Sequence, residues 1–119
     1  MKADTIITNK QLTTLDVINK EEEKMQAFLE NMKAQMEVSD ASPEKKLLNE
    51  IEVNMYELGT KLNQDLEETK KELASTNLLL EILDGESKIV KSFIEKIKLR
   101  IKLLENNKRI VSEIIQIII

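Results

Sequence analysis

Apolar residues recur every three or four positions along almost the whole chain, and only Pro43, Gly59 and Gly85 among its 119 residues are strong backbone breakers. Such spacing paints one apolar stripe along a helix. So few turn-forming residues leave no room for the many short connections of a sheet-containing domain. Composition agrees: 34% of residues are charged, 41% hydrophobic and 3% aromatic, the aromatics being Phe28, Phe93 and Tyr56. Abundant charge around an aliphatic stripe suits long helices that each bury one side. The expected fold is all-α, with long antiparallel helices forming a coiled-coil-type bundle as a single domain over residues 1–119.

Three helical segments are predicted. The first covers about 9–38, with Leu15, Ile18, Met25, Leu29, Met32 and Met36 in its stripe and the charged Glu22 in one slot. Residues 39–42 form a loop. There Ser42 suits an N-cap, Pro43 the first helical position, and Glu44 the favourable end of the helix dipole. The second segment covers about 43–84, from Leu48 and Ile51 through Leu62 and Leu66 to Leu80 and Leu83. A step of four between Leu62 and Leu66 is a stutter, and Thr69 and Thr76 weaken the stripe. The third covers about 87–119, with Lys108 in one core slot.

Residues 84–87, Asp84-Gly85-Glu86-Ser87, resemble a helix stop followed by a fresh cap, which would fold the chain back as a hairpin. Against this, Leu80, Leu83, Ser87, Val90, Ile94 and Ile97 keep the heptad phase, and one glycine inside a helix costs only about 1 kcal/mol. Two architectures follow: three helices with a break at Gly85, which we prefer, or a hairpin whose second helix is one continuous rod.

The third segment carries two stripes. Val90, Ile94, Ile97, Ile101, Leu104, Val111, Ile115 and Ile118 fall on one side, and Leu99, Leu103, Ile110, Ile114 and Ile117 on another. A two-stranded coil needs one stripe, so this helix is expected to meet more than one neighbour. The second stripe is either covered within the chain by the first two helices or serves as an intermolecular interface. Its five members, Leu99, Leu103, Ile110, Ile114 and Ile117, are the candidate interface residues. The run Ile114-Ile115-Gln116-Ile117-Ile118-Ile119 needs a partner or a packed core. Lys88, Lys91, Lys98, Lys102 and Arg109 occupy the remaining arc.

Charge is segregated beneath a net −4: residues 44–86 hold 11 acidic and 5 basic groups, residues 88–109 hold 8 basic and 2 acidic. Antiparallel packing would set the acidic segment beside the basic one, fixing orientation more than adding stability. Overall acidity and scarce aromatics argue against nucleic-acid binding. A lipid-surface role stays open because basic and apolar faces coexist on the third helix.

With 0 His and 0 Cys, the chain offers no His-based nucleophile relay and no Cys/His zinc site. No phosphate-binding glycine motif is present. Adjacent carboxylates such as Glu67 and Glu68 point to different sides of a helix and read as a solvated face. Neither cofactor nor metal is expected. The N-terminal residues do not resemble a signal peptide, and the C-terminal apolar run is too short to span a bilayer, so a soluble cytoplasmic or nuclear chain is expected. The expected function is a non-enzymatic protein–protein interaction subunit, a scaffold or adaptor in a homo- or hetero-oligomeric assembly. The alternatives are a small helical chaperone or regulator that shields a partner's amphipathic helix, and a lipid-surface-binding helical protein.

Overall fold

A computed structural model describes residue 7 and residues 9–38 and 45–119, without the side chains of residues 38, 45 and 46. It consists of three helices: α1 (Asn9–Val38), α2 (Lys45–Ile82) and α3 (Lys88–Ile118). They pack side by side as an all-α helical bundle, and no strand occurs among the described residues. The expected Ser42 cap, Pro43 and Glu44 lie outside the described residues.

The chain breaks at the glycine, so the continuous rod is excluded. Asp84 adopts φ 57° and Gly85 φ 72°, both left-handed. The Gly85 amide donates to the Leu80 carbonyl at 2.8 Å and the Asp84 amide to the Glu81 carbonyl at 3.0 Å. These two bonds make a Schellman stop, which satisfies carbonyls that the end of α2 would otherwise leave bare. Three residues later α3 restarts: Ser87 is extended (φ −75°, ψ 113°) and its Oγ accepts from the Val90 amide at 3.3 Å. The preserved heptad phase records that both helices keep their apolar faces turned inward across the turn.

Direction follows from the cross-helix bonds. Lys96 meets Asp16 and Lys33 meets Glu113, each 80 residues apart in the same sense, so α1 and α3 run parallel. Lys108 reaches Asn63, and Gly59 faces Val111, so α2 runs antiparallel to α3. The up-down-up order makes successive helices antiparallel, as expected, and leaves the first and third helix pointing the same way.

Helix α3 is the centre of the molecule. Its backbone lies close to both other helices, whereas α1 and α2 stand further apart and meet through side chains, Leu29 sharing a cluster with Met55, Leu62 and Leu66. Its buried residues, from Val90 and Phe93 to Ile110 and Ile114, wrap more than half of its circumference. The two stripes thus have two neighbours inside one chain. Burying each such aliphatic side chain is worth about 1.5–3 kcal/mol.

Two apolar clusters result. One gathers Leu29, Met55, Leu62, Leu66, Leu104 and Ile114 toward the C-terminal end of α3. The other gathers Ile7, Leu15, Val90, Phe93, Ile94 and Ile97 toward its N-terminal end. Thr69 and Thr76, which break the α2 stripe in the sequence, are nevertheless buried. Each hydroxyl donates one turn back, to the Asp65 and Glu72 carbonyls at 2.6 and 2.7 Å, and so needs no partner on another helix. The stutter residues Leu62 and Leu66 both sit inside.

Candidate interaction surface

The two helix seams differ in chemistry. No ion pair crosses between α2 and α3 among the described residues; those helices meet through aliphatic side chains, the self-satisfied threonines and the hydrogen bond from Lys108 to Asn63. The antiparallel packing expected of acidic α2 beside basic α3 is thus found, without an ion pair between them among the described residues. At helical spacing, Glu50, Glu57, Glu68 and Glu72 fall on the side of α2 toward α1, where Glu72 shares an open groove with Lys10 and Thr14. The lysine arc of α3 faces away from that side, and Lys88, Lys91, Lys98 and Lys102 are exposed.

The seam between α1 and α3 adds polar contacts to its apolar ones. Lys33 Nζ donates to Glu113 Oε2 at 2.5 Å, and Lys96 pairs with Asp16. Asn19 Nδ2 donates to the Lys96 carbonyl at 3.1 Å, and Asn107 Nδ2 to the Glu22 carbonyl at 3.1 Å. Each asparagine therefore grips the backbone of the opposite helix. Both are buried, Asn107 completely, and their Oδ1 atoms have no hydrogen-bond partner; the same holds for Arg100 Nε. Together with Glu22 they form a polar waist between the two apolar clusters.

Glu22 is half-buried in this waist. Loss of hydration raises its carboxyl above the ordinary carboxylate range; Arg100 and Lys61 pull it down and Asp65 pushes it up. At the outer edge, the hydrogen bond from Lys33, helped by Arg109, holds the Glu113 carboxyl below that range, and the same bond raises the Lys33 ammonium. Lys108, the other charged residue in a core slot, is exposed, and its ammonium reaches out to Asn63 Oδ1 at 2.8 Å.

The five candidate interface residues divide. Leu103, Ile110 and Ile114 lie inside the bundle, with exposures of 7%, 1% and 0%, while Leu99 and Ile117 remain open at 42% and 38%. The physical reason is the position of α3: its second stripe is roofed by α1, and only the edge of that stripe reaches solvent. The isoleucine tail divides likewise. Ile114 is enclosed, and Ile119 is 82% exposed. At the same end, where α2 begins, Leu47, Val53 and Tyr56 are exposed too. A shallow groove of about 370 Å³ between α2 and α3, floored by Gly59, Val111 and Ile115 and flanked by Tyr56 and Lys108, opens beside them.

The waist asparagines were not picked out from the sequence, although a trace of them exists. In the second stripe of α3 the step from Leu103 to Ile110 skips a turn, and Asn107 occupies the gap. On α1, Asn19 and Glu22 fill successive inward positions between Leu15 and Met25.

Among the described residues, no group of His, Cys, Asp or Glu is arranged to hold a metal ion, and no helix is long and apolar enough to cross a membrane. No protein-family model, curated protein or solved structure matches the chain.

Proposed function

We propose that this chain is a non-enzymatic interaction module, a scaffold or adaptor subunit that holds other chains through helix faces as a soluble component of the cytoplasm or nucleus. The observation that carries this proposal is the apolar surface left over once the interior is filled. Ile117, Ile119, Leu47 and Tyr56 stay exposed at the end where α2 starts and α3 finishes. Large aliphatic and aromatic groups left exposed at one end of a small, highly charged protein are surface that partner chains would cover. The lipid-surface alternative has less support, because most of the apolar area of α3 beside its lysine arc is occupied by α1 and α2.

Photo-crosslinking in the protein's own cells tests this. A photoreactive residue replacing Ile117 or Ile119 is expected to trap another protein chain, while one replacing Lys91 on the solvated arc is expected to trap none. Equal or absent crosslinking at all three positions contradicts the proposal.

A further inference from the structure

Gly59 is a residue that the fold itself does not call for. It lies inside α2, where glycine is less favourable than alanine by about 1 kcal/mol. Neither usual reason for a glycine applies. Its backbone is not in the left-handed region, and an added Cβ would meet Val111 Cγ1 at 3.5 Å, an ordinary contact. What the missing side chain leaves is depth, because Gly59, Val111 and Ile115 floor the groove between α2 and α3.

That groove continues along the seam. Ser112 and Lys108 also line a second hollow of about 350 Å³, together with Leu66, Lys70, Glu105 and Arg109. Two rails at helical spacing bound the whole: Tyr56, Gly59, Asn63, Leu66 and Lys70 on α2, and Ile119, Ile115, Ser112 and Lys108 on the antiparallel α3. One end is apolar, with Tyr56 and Ile119 exposed beside the aliphatic floor. The other end is basic, with Lys70, Lys108 and Arg109 against the single acid Glu105. Lys70 and Lys108 form no ion pair among the described residues, the Lys108 ammonium meeting only the neutral Asn63 amide oxygen. From Gly59 to Lys70 the groove runs about 16 Å, or three helical turns.

We propose that this groove takes an acidic amphipathic helix of a partner protein. Its apolar residues sit over Gly59, and its carboxylates, about three turns along, meet Lys70 and Lys108. Charge and floor together select this occupant. The basic end repels a basic helix, and a bare polyanion would leave the aliphatic floor uncovered. The acidic helix of a second copy, α2, does not fit, because Met55, Leu62 and Leu66 of its apolar side are already buried in its own bundle. The inference rests on the interaction-module proposal and names the chemistry of the partner.

A phage-displayed library of helical peptides, randomised at apolar and charged positions alike, tests this against the full-length chain. Selected helices are expected to carry apolar residues at three-four spacing and acids about three turns away. Lys70→Glu, at an exposed position, is expected to weaken them by about tenfold. A peptide with lysine in place of the facing acid is expected to regain that loss. Gly59→Ala is expected to weaken the same helices while raising the urea midpoint, two effects that a merely structural glycine would not combine. Failure to enrich any helix, enrichment of basic or uncharged ones, or binding that ignores either substitution overturns the proposal. By helical spacing Ile117 lies across α3 from Ile115 and the groove, so crosslinking there reads the interaction module separately. A partner trapped from Ile117 while the library yields no acidic helix removes the groove's occupant and leaves the module standing.

Discussion

The two glycines place opposite demands on their neighbours. Gly59 lies within α2, where a Cβ would meet Val111 Cγ1 at 3.5 Å, an ordinary van der Waals distance. Gly59→Ala therefore gains helix propensity without a clash and is expected to raise unfolding free energy by about 1 kcal/mol. Gly85 has open space around it but holds φ at 72°. Gly85→Ala is expected to cost about 1 kcal/mol through backbone strain alone. Urea midpoints of the two variants, moving in opposite directions at unchanged slope, would check both. Glu22 offers a test by pH. Its carboxyl titrates above the ordinary range in the folded chain, so the native state takes up the proton first. Stability contributed by this group grows as pH falls through the raised value toward the ordinary one, and it is lost as pH rises back. Glu22→Gln is thus expected to raise the melting temperature at neutral pH and to remove that part of the pH dependence. Thermal melts across the acid range would show it. Glu113 acts in the opposite sense: its depressed value gives stability above the ordinary carboxylate range, which fades in more acid solution.

At the level of elements, the pair α2–α3 and the helix α1 are different kinds of object. The pair is joined by the Asp84–Gly85 stop and the Ser87 cap, and its seam is aliphatic. Helix α1 adds hydrogen bonds and ion pairs to the apolar contacts of Leu15 and Leu29. A fragment of residues 45–119 is expected to retain most of its helicity while exposing Leu103, Ile110 and Ile114. Light scattering should find it self-associated, whereas a well-behaved single chain would mean that α1 is not what covers that stripe. Much of this architecture was legible beforehand. The three-four spacing located the helices, Gly85 and Ser87 located the turn, and the double stripe announced that α3 has two neighbours. The partners of each stripe were not legible, because spacing records which side of a helix is apolar and nothing about what faces it. Charge agreed with the antiparallel orientation of α2 and α3 but said nothing about contacts, for a related reason. Counting acids on α2 and bases on α3 ignores the angle at which they leave the helix, and those angles keep them apart.

Across the whole molecule, the three helices make a rod-like body of 61 × 19 × 17 Å, its length set by the 38 residues of α2 at about 1.5 Å each. The candidate surface was only half readable at this scale. The second stripe was correctly seen as excess apolar area for a two-stranded coil, yet whether α1 or a stranger hides it depends on the third dimension. The structure places three of its five residues under α1 and leaves Leu99 and Ile117 at the rim. The parallel pairing of the first helix with the last has a consequence for how the chain comes into being. A ribosome releases α1 early, but the helix that shelters it is made about 80 residues later, roughly 4–16 s at about 5–20 residues per second. Throughout that interval the newborn segment is without its mate, and in a crowded polysome the nearest finished copy of α3 can belong to the molecule translated just ahead.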